Sequence, residues 1–268
     1  MFHISCVFAF QKLALYNSLP CTPLTQEKSK GRLGCLFEQS YVGIMLSGHF
    51  RDLRLMKRVR SISEAPPLYR KYHIDRDYEL LSLFEQLVER YDIQSVLYPG
   101  CYVHIAPSLC IPRAVYIDCA IPAKKFFDDP MVCKYIDSMK SYRAVSKITF
   151  YHQSYEEDIA QPEESFDLLI SQYAGFVSEA TKKYLKKGGI LVANDSHGDA
   201  GLAAIDPSFE LIAVANNRNN RFVISDKNLR SYFKPKKEVQ ITKQFLKDHQ
   251  KGLVYSKVAS NYIFGKIK

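Results

Sequence analysis

The sequence has no apolar run of the roughly 18 residues that a membrane-spanning helix needs. Met1 to Tyr16 is apolar in places, but it lacks the basic residues that begin a secretory signal peptide, and Gln11 and Lys12 interrupt it. These absences predict a chain with no membrane span and no cleaved leader.

The seven cysteines include no C-x-x-C pair and lie far apart in the sequence. That pattern argues against a disulfide scaffold and against a structural zinc site, so reduced thiols and a cytoplasmic protein are expected. Cys101 and Cys119 have no neighbouring His or Lys that would lower the pKa of the thiol. We interpret both as small hydrophobic residues rather than as nucleophiles.

The composition is that of a folded protein, since 47% of the 268 residues are hydrophobic and 24% are charged. Residues 1–50 show no sustained hydrophobic period, whereas periodic segments begin near Asp75. The sequence therefore predicts an accessory or partly ordered extension over 1–74, followed by one α/β domain over 75–268.

Positive charge is concentrated near the C-terminus. Residues 218–268 carry thirteen Lys and Arg against three acids, an excess of ten, while the whole chain carries a net charge of +9. A second basic stretch, Arg51 to Arg60, has the spacing of a short amphipathic helix. Either stretch could contact nucleic acid or another anionic surface, and a solvated basic face is the simpler explanation.

Apolar strands alternate with helices from residue 75 onward. A helix is predicted from Asp75 to Tyr91, and strands are predicted at Ser95–Tyr98, Ala114–Ile117, Lys147–Tyr151, Phe166–Ile170 and Gly189–Ala193. Helical segments are predicted at Ala123–Tyr142, apart from Pro130, and at Ser178–Lys186. Two or three further strands are predicted among Phe209–Ala215, Arg221–Ser225 and Asn261–Ile267. Such alternation favours a parallel sheet covered on both faces. The predicted fold is a doubly wound, mostly parallel α/β sheet of about seven strands, with the last two strands in an antiparallel C-terminal edge.

The stretch from Ser95 to Asp118 predicts a nucleotide-type pocket. It contains a strand, a tight turn at Pro99 and Gly100, and a second strand that ends in Asp118. In α/β folds a glycine after the first strand lets the backbone approach a ligand, and an acid after the second strand accepts hydrogen bonds from ribose hydroxyls.

The chain from 75 to 268 resembles the class I S-adenosylmethionine-dependent methyltransferases. The segments that carry the resemblance are V-L-Y-P-G-C, the acid Asp118, the polar residues after the third strand, and S-F-D-L-L-I-S-Q-Y-A-G followed by K-K-G-G-I-L-V-A. The resemblance implies a Rossmann-like sheet and S-adenosyl-L-methionine as methyl donor. It implies a donor site at Tyr98, Pro99, Gly100, Cys101, Asp118, Cys119, Gln153, Ser154, Ser171 and Gln172.

The chain departs from this family in the loop after the first strand. Tyr98 replaces an acid that would pair with the donor's amino group, and Tyr102, Val103 and His104 stand where further glycines are expected. Bulky side chains there leave less room for a donor. The alternative is a domain that has kept the fold and no longer binds donor.

The loop after the fifth strand, Asn194 to Asp199, holds the densest group of polar residues. Its place at the functional edge of the sheet makes Asp195, His197 and Asp199 the candidate catalytic residues, with His197 as general base and an Asp orienting it. No metal is predicted, because Ser171 and Gln172 cannot supply the acid that cation-dependent relatives have after strand four. The alternative is a turn whose residues merely suit turns.

Two functions of different classes follow from these patterns. The first is a methyltransferase that transfers a methyl group to an unidentified small molecule or polymer; the absence of a D/N-P-P-aromatic motif disfavours the amino-methylating DNA enzymes. The second is a non-catalytic methyltransferase-like module that binds nucleic acid or a protein partner through its basic C-terminal portion. A third, weaker hypothesis is another enzyme that uses His197 for proton transfer.

Overall fold

The computed structural model describes residues 64–218, 221–249 and 251–268. The basic stretch 51–60 and most of the predicted extension 1–74 lie outside these residues, as do Cys6, Cys21 and Cys35. The division of the chain at residue 74 therefore stays a prediction.

The described chain forms one eight-stranded sheet. The strands are β1 Ser95–Pro99, β2 Arg113–Ile117, β3 Lys147–Tyr151, β4 Phe166–Ser171, β5 Leu185–Ala193, β6 Phe209–Arg218, β7 Arg221–Ser225 and β8 Asn261–Lys266. Their order across the sheet is β3-β2-β1-β4-β5-β8-β6-β7, and the first five in this order pair in parallel. The predicted α/β class and its antiparallel C-terminal edge are confirmed, with eight strands rather than seven.

The last strand, β8, lies inside the sheet, whereas the sequence predicts it at the edge. β8 pairs antiparallel with β5 on one side and with β6 on the other, so β5 and β6 run in the same direction. Tyr262, Ile263 and Phe264 are consecutive and buried, the pattern of a strand covered on both faces. In the interior of the sheet, β8 pairs its backbone N–H and C=O groups with a neighbouring strand on each side. β7 alone forms the C-terminal edge of the sheet.

Seven α-helical segments accompany the sheet in the part of the chain that is described. They are α1 Pro67–Tyr69, α2 Leu81–Tyr91, α3 Ile121–Phe127, α4 Pro130–Met139, α5 Val177–Thr181, α6 Asp199–Ile205 and α7 Lys243–His249, and α1 continues as a π-helical turn over Arg70–Ile74. None of these is long and apolar enough to cross a membrane.

Three helix predictions need correction. The helix expected from Asp75 begins at Leu81, because Asp77 and Leu80 adopt left-handed backbone angles (φ 52° and 54°) that interrupt a right-handed helix. The region from 123 to 142 is two helices, since Pro130 starts α4 and Asp129 caps it by accepting a hydrogen bond from the Met131 amide (2.9 Å). The helix expected over Ser178–Lys186 spans Val177–Thr181 and is followed by a 3-10 turn.

Phe264 tests the interior position of β8. Its ring is fully buried, opposite Leu191 of β5 and Leu211 of β6. Phe264→Ala should lower the free energy of unfolding by about 3–5 kcal/mol, measured by urea denaturation. Ile267→Ala, three residues further on at a half-exposed position, is the control and should cost well under half of that. Equal losses would contradict the interior placement.

Candidate functional site

The candidate site lies where the order of the strands reverses. β1 has β2 on one side and β4 on the other, and in open α/β sheets ligands bind at the carboxyl ends of strands at such a point. The loops that meet there begin at Gly100 after β1, Asp118 after β2 and Gln172 after β4.

Asp118 fits the predicted role of a ribose-binding acid. Its Oδ2 accepts a hydrogen bond from the amide of Tyr102, and its Oδ1 accepts one from the amide of Ala120, each 2.8 Å long. Burial raises the pKa of this carboxyl, and the two backbone donors oppose that effect. A carboxylate can accept about four hydrogen bonds, so two positions on Asp118 are left for hydroxyl groups.

Gly100 is occupied by protein on the side that a side chain would take. Its backbone is left-handed (φ 65°), its amide donates to the carbonyl of Ile117 (2.7 Å), and a methyl group at this position would overlap the side chain of Ala174. Ala174 belongs to the loop after β4. The contact between the two loops therefore requires glycine at residue 100. Ala174 occupies the space beside the Gly100 backbone that the resemblance assigns to the donor.

His104, where the family pattern has a glycine, is part of the core. Its Nε2 donates to the carbonyl of Glu79 (2.8 Å), so its Nδ1 is the acceptor for the hydroxyl of Tyr98 (3.0 Å). Burial lowers the pKa of His104 to about 4, and its ring stacks on that of His73 at 4.1 Å. The hydroxyl of Tyr98 is thus bound to the buried ring of His104, and Tyr98 carries no negative charge that could pair with a donor's amino group.

The connection from β1 to β2 also differs from a usual nucleotide-binding unit. Between Gly100 and Pro112 it forms a buried 3-10 turn, Ala106–Leu109, and no α-helix. The helix N-terminus that assists anion binding in such units is therefore absent from this connection. The residues present fit the ribose end of S-adenosylmethionine and do not fit its methionine end in the family's manner.

Two tyrosines flank the point where the loops touch. Tyr102 and Tyr173 both have left-handed backbone angles (φ 47° and 56°), which cost a residue with a side chain roughly 1–2 kcal/mol each. Tyr72 meets the Tyr102 ring edge-on at 5.2 Å, and Tyr78 meets the Tyr173 ring at 5.4 Å. Burial raises the pKa of Tyr102 to about 12, whereas Tyr173 is 41% exposed.

The two predicted donor residues after β4 are engaged with protein. Gln172 donates through Nε2 to Oδ1 of Asn261 (2.7 Å), and its Oε1 accepts from Nδ2 of Asn194 (2.9 Å) and from the hydroxyl of Tyr78 (3.2 Å). The hydroxyl of Ser171 donates to Asp199 (2.5 Å). These buried bonds join the ends of β4 and β5 to the start of β8.

Of the remaining predicted donor residues, Cys119, Gln153 and Ser154 lie in the loops after β2 and β3, whereas Pro99 ends β1 and Cys101 follows in the next loop. Gln153 donates through Nε2 to the carbonyl of Asp158 (3.1 Å), and the hydroxyl of Ser154 accepts from the amide of Glu156 (3.2 Å). Nε2 of His152 donates to the carbonyl of Cys119 (3.1 Å), which ties the two loops together. Cys101 is buried, and burial raises the pKa of its thiol.

Asp199 is the most enclosed of the predicted catalytic residues. Its carboxylate accepts hydrogen bonds from the hydroxyl of Ser171 and from both the hydroxyl (2.6 Å) and the amide (3.0 Å) of Ser178. Burial raises its pKa to about 6 despite these donors. Asp199 therefore connects β4, α5 and α6.

Asp195 accepts a hydrogen bond from the backbone amide of Gly201 (2.8 Å), and the backbone of Leu253 also acts to lower the pKa of its carboxyl. Burial, with a smaller contribution from the charge of Asp199, raises the pKa of Asp195 to about 7. A methyl group at Gly252 would overlap the Asp195 backbone, so this C-terminal segment packs closely on the loop. His197 is half-buried in the same loop. Sequence reasoning missed Leu253, Tyr78 and Asn261, because no local pattern marks contacts across such separations.

The described residues include no group of three His, Cys, Asp or Glu side chains placed to hold a metal ion. Cys101, Cys110 and Cys133 are free thiols, whereas Cys119 is disulfide-bonded, so the expectation of a reduced thiol is wrong for Cys119.

Comparison with known proteins gives structural neighbours only. No family model and no curated protein matches the sequence. The strand order 3-2-1-4-5, with β6 running in the same direction, is that of a Rossmann-like sheet. The described chain has a Rossmann-like α/β fold.

Solved structures similar to this chain include a methyltransferase from Geobacter sulfurreducens, 14% identical, covering 69% of this chain and 94% of that one, with a TM-score of 0.42. The tRNA (m1A58) methyltransferase TrmI from Aquifex aeolicus is 12% identical over 70% of this chain and 69% of that one, with a TM-score of 0.38. The [4+2]-cyclase SpnF is 14% identical over 42% and 44%, with a TM-score of 0.31. Likenesses this low concern the fold alone.

The contact of Gly100 with Ala174 can be tested by a paired substitution. Gly100→Ala should lower the free energy of unfolding by about 2–4 kcal/mol, because it adds a steric overlap to an unfavourable φ. Adding Ala174→Gly should recover the steric part of that loss in urea denaturation. Gly188→Ala is the matched control, since Gly188 has a similar φ (78°) and open space around it. No recovery in the double variant would contradict the contact.

Asp195 should make stability depend on pH. Its pKa is raised from about 4 in the unfolded chain to about 7 in the fold, so its contribution to stability is present below about pH 4 and is lost as the pH rises to about 7. Asp195→Asn cannot ionise. Its unfolding free energy relative to the parent should therefore rise between about pH 4.5 and 7.5 in urea titrations. A difference that stays constant with pH would contradict the buried carboxyl.

Proposed function

We propose that this domain is an S-adenosylmethionine-dependent methyltransferase that binds the ribose of the donor through Asp118. The observation that carries the proposal is the position of this carboxylate, at the end of β2 and beside the turn after β1, with hydrogen-bonding capacity left after its two backbone donors.

The donor supplies an activated methyl group on a sulfonium centre. Asp118 would accept hydrogen bonds from the ribose hydroxyls, and Cys119, Gln153 and Ser154 lie in the neighbouring loops on the side assigned to adenine. Tyrosine rings attract cations through their faces. Tyr102 and Tyr173 are therefore the residues proposed to stabilise the positive end, where the acid usual in the family is absent at residue 98.

Asp195 and His197 are the proposed residues on the acceptor side. Burial brings the pKa of Asp195 to about 7, which suits a general base at neutral pH. Asp199 is proposed as a positioning residue instead, because three protein donors already bind its carboxylate.

A second candidate function is a non-catalytic module that has kept this fold. The observations that favour it are the occupation of Gly100 by Ala174 and the burial of His104 at a glycine position. In that case neither the donor nor its demethylated product should bind.

Isothermal titration calorimetry with S-adenosylmethionine and S-adenosylhomocysteine separates the two candidates. The methyltransferase proposal expects a Kd in the micromolar range. Asp118→Ala should weaken binding at least about tenfold, or about 1.4 kcal/mol, and Asp118→Asn should weaken it less because one acceptor oxygen is kept. Asp128→Ala removes an exposed carboxylate on the surface and is the control.

Thermal denaturation reports whether each variant is folded before titration. A folded parent that binds neither compound would overturn the methyltransferase proposal and support the module. Binding that is unaffected by both Asp118 variants would overturn the assignment of the ribose site.

A further inference from the structure

The long connection between β7 and β8 contains a two-stranded basic ribbon, formed by residues 234–236 and 254–256. Pro235 and Tyr255 pair as an antiparallel bridge. On either side of it, the amide of Lys236 donates to the carbonyl of Val254 (3.0 Å), and the amide of Ser256 donates to the carbonyl of Lys234 (2.8 Å). Backbone pairing thus gives this segment a defined shape.

The pairing decides which side chains face outward. Tyr255 is buried, and Phe233 meets its ring at 5.2 Å. Because successive side chains of an extended segment point to opposite faces, Lys234 and Lys236 lie on the outer face, where both are exposed. Two residues of an extended strand span about 7 Å, so the side chains of Lys234 and Lys236 leave the backbone about 7 Å apart.

A cavity adjoins the basic ribbon and shares one of its lysines. The cavity is open, has a volume of about 510 Å³, and is lined by Asn228, Leu229, Arg230, Ser231 and Lys234. A guanidinium, an ammonium and two uncharged polar side chains around one opening make a set that suits a phosphate group.

These positive charges are not neutralised within the described part of the chain. Lys243 and Lys247, on α7, both pair with Glu179. By contrast, Arg230, Lys234, Lys236 and Lys237 form no ion pair with a described acid, so their charge is available to a ligand.

The basic ribbon is anchored beside the loop after β5. A methyl group at Gly201 would lie 2.7 Å from the hydroxyl of Tyr255, which places the inner face of the ribbon against the start of α6. Two residues before the ribbon's second strand, Gly252 packs on Asp195. A chain bound along the ribbon would therefore pass close to the proposed acceptor loop.

We propose that the basic ribbon and the adjoining cavity bind the phosphodiester backbone of a nucleic acid. Two exposed lysines that form no ion pair with a described acid, next to an open cavity lined by Arg230 and polar side chains, match a polymer with regularly spaced phosphates. A lipid surface is disfavoured, since the large exposed apolar residues in and next to the second strand of the ribbon are Val254 and Val258, and not the Trp, Phe or Leu that anchor proteins in membranes. The inference does not require donor binding; where the proposed function holds, it makes nucleic acid the acceptor class.

The test is fluorescence anisotropy with a labelled single-stranded RNA of about 20 nucleotides, longer than one small binding fold covers. Four phosphate contacts predict a slope of log K against log salt of about −2.8. Lys234→Gln with Lys236→Gln should weaken binding and reduce that slope by about 1.4. Lys125→Gln with Lys134→Gln, two exposed lysines on α3 and α4, changes the net charge equally and should leave both values unchanged.

Three outcomes would overturn the proposal: no binding at low salt, equal losses in the two double variants, or equal competition by polyglutamate of matched length, which would indicate an acidic protein partner. A DNA strand of the same sequence, run in parallel, distinguishes the two sources of the phosphodiester backbone. Calorimetry of the Lys234 and Lys236 variant with S-adenosylmethionine should match the parent, so a failure of donor binding and a failure of nucleic-acid binding are read separately.

Discussion

The close contact between Gly100 and Ala174 is the constraint on which the site depends. It brings the loops after β1 and β4 together at the reversal of strand order. Tyr102 and Tyr173 follow from it, because each is next to or near the contact and is held in a left-handed conformation by its surroundings. A strained backbone persists only where neighbouring packing enforces it, and here Tyr72 and Tyr78 provide part of that packing.

The C-terminal part of the chain does more than complete the sheet. β8 joins β5 to β6, and the segment before it packs on Asp195 at Gly252. The same segment carries the basic ribbon. The charge excess that stands out in the composition is therefore built into the face that adjoins the loop after β5, and is not a detached tail.

The local parts of the fold could be predicted from the sequence, and the long-range parts could not. Strand periodicity located the Gly100 turn and Asp118 at the carboxyl edge, because these depend on neighbouring residues. The interior position of β8, the contact of Gly100 with Ala174, and the packing of Gly252 on Asp195 join residues more than forty positions apart. Periodicity carries no information about such pairs, and the composition of the loop from 194 to 199 does not distinguish buried structural carboxylates from catalytic ones.

The placement of β8 has a consequence for how the chain reaches its native state. Until residues 261–266 are available, β5 and β6 each present an unpaired edge, and the 35 residues between β7 and β8 must be traversed before the gap closes. Pairing over such separations is slow, and open strand edges invite association between chains. The concentration of lysine and arginine in this connection gives unfinished chains a mutual repulsion during that interval.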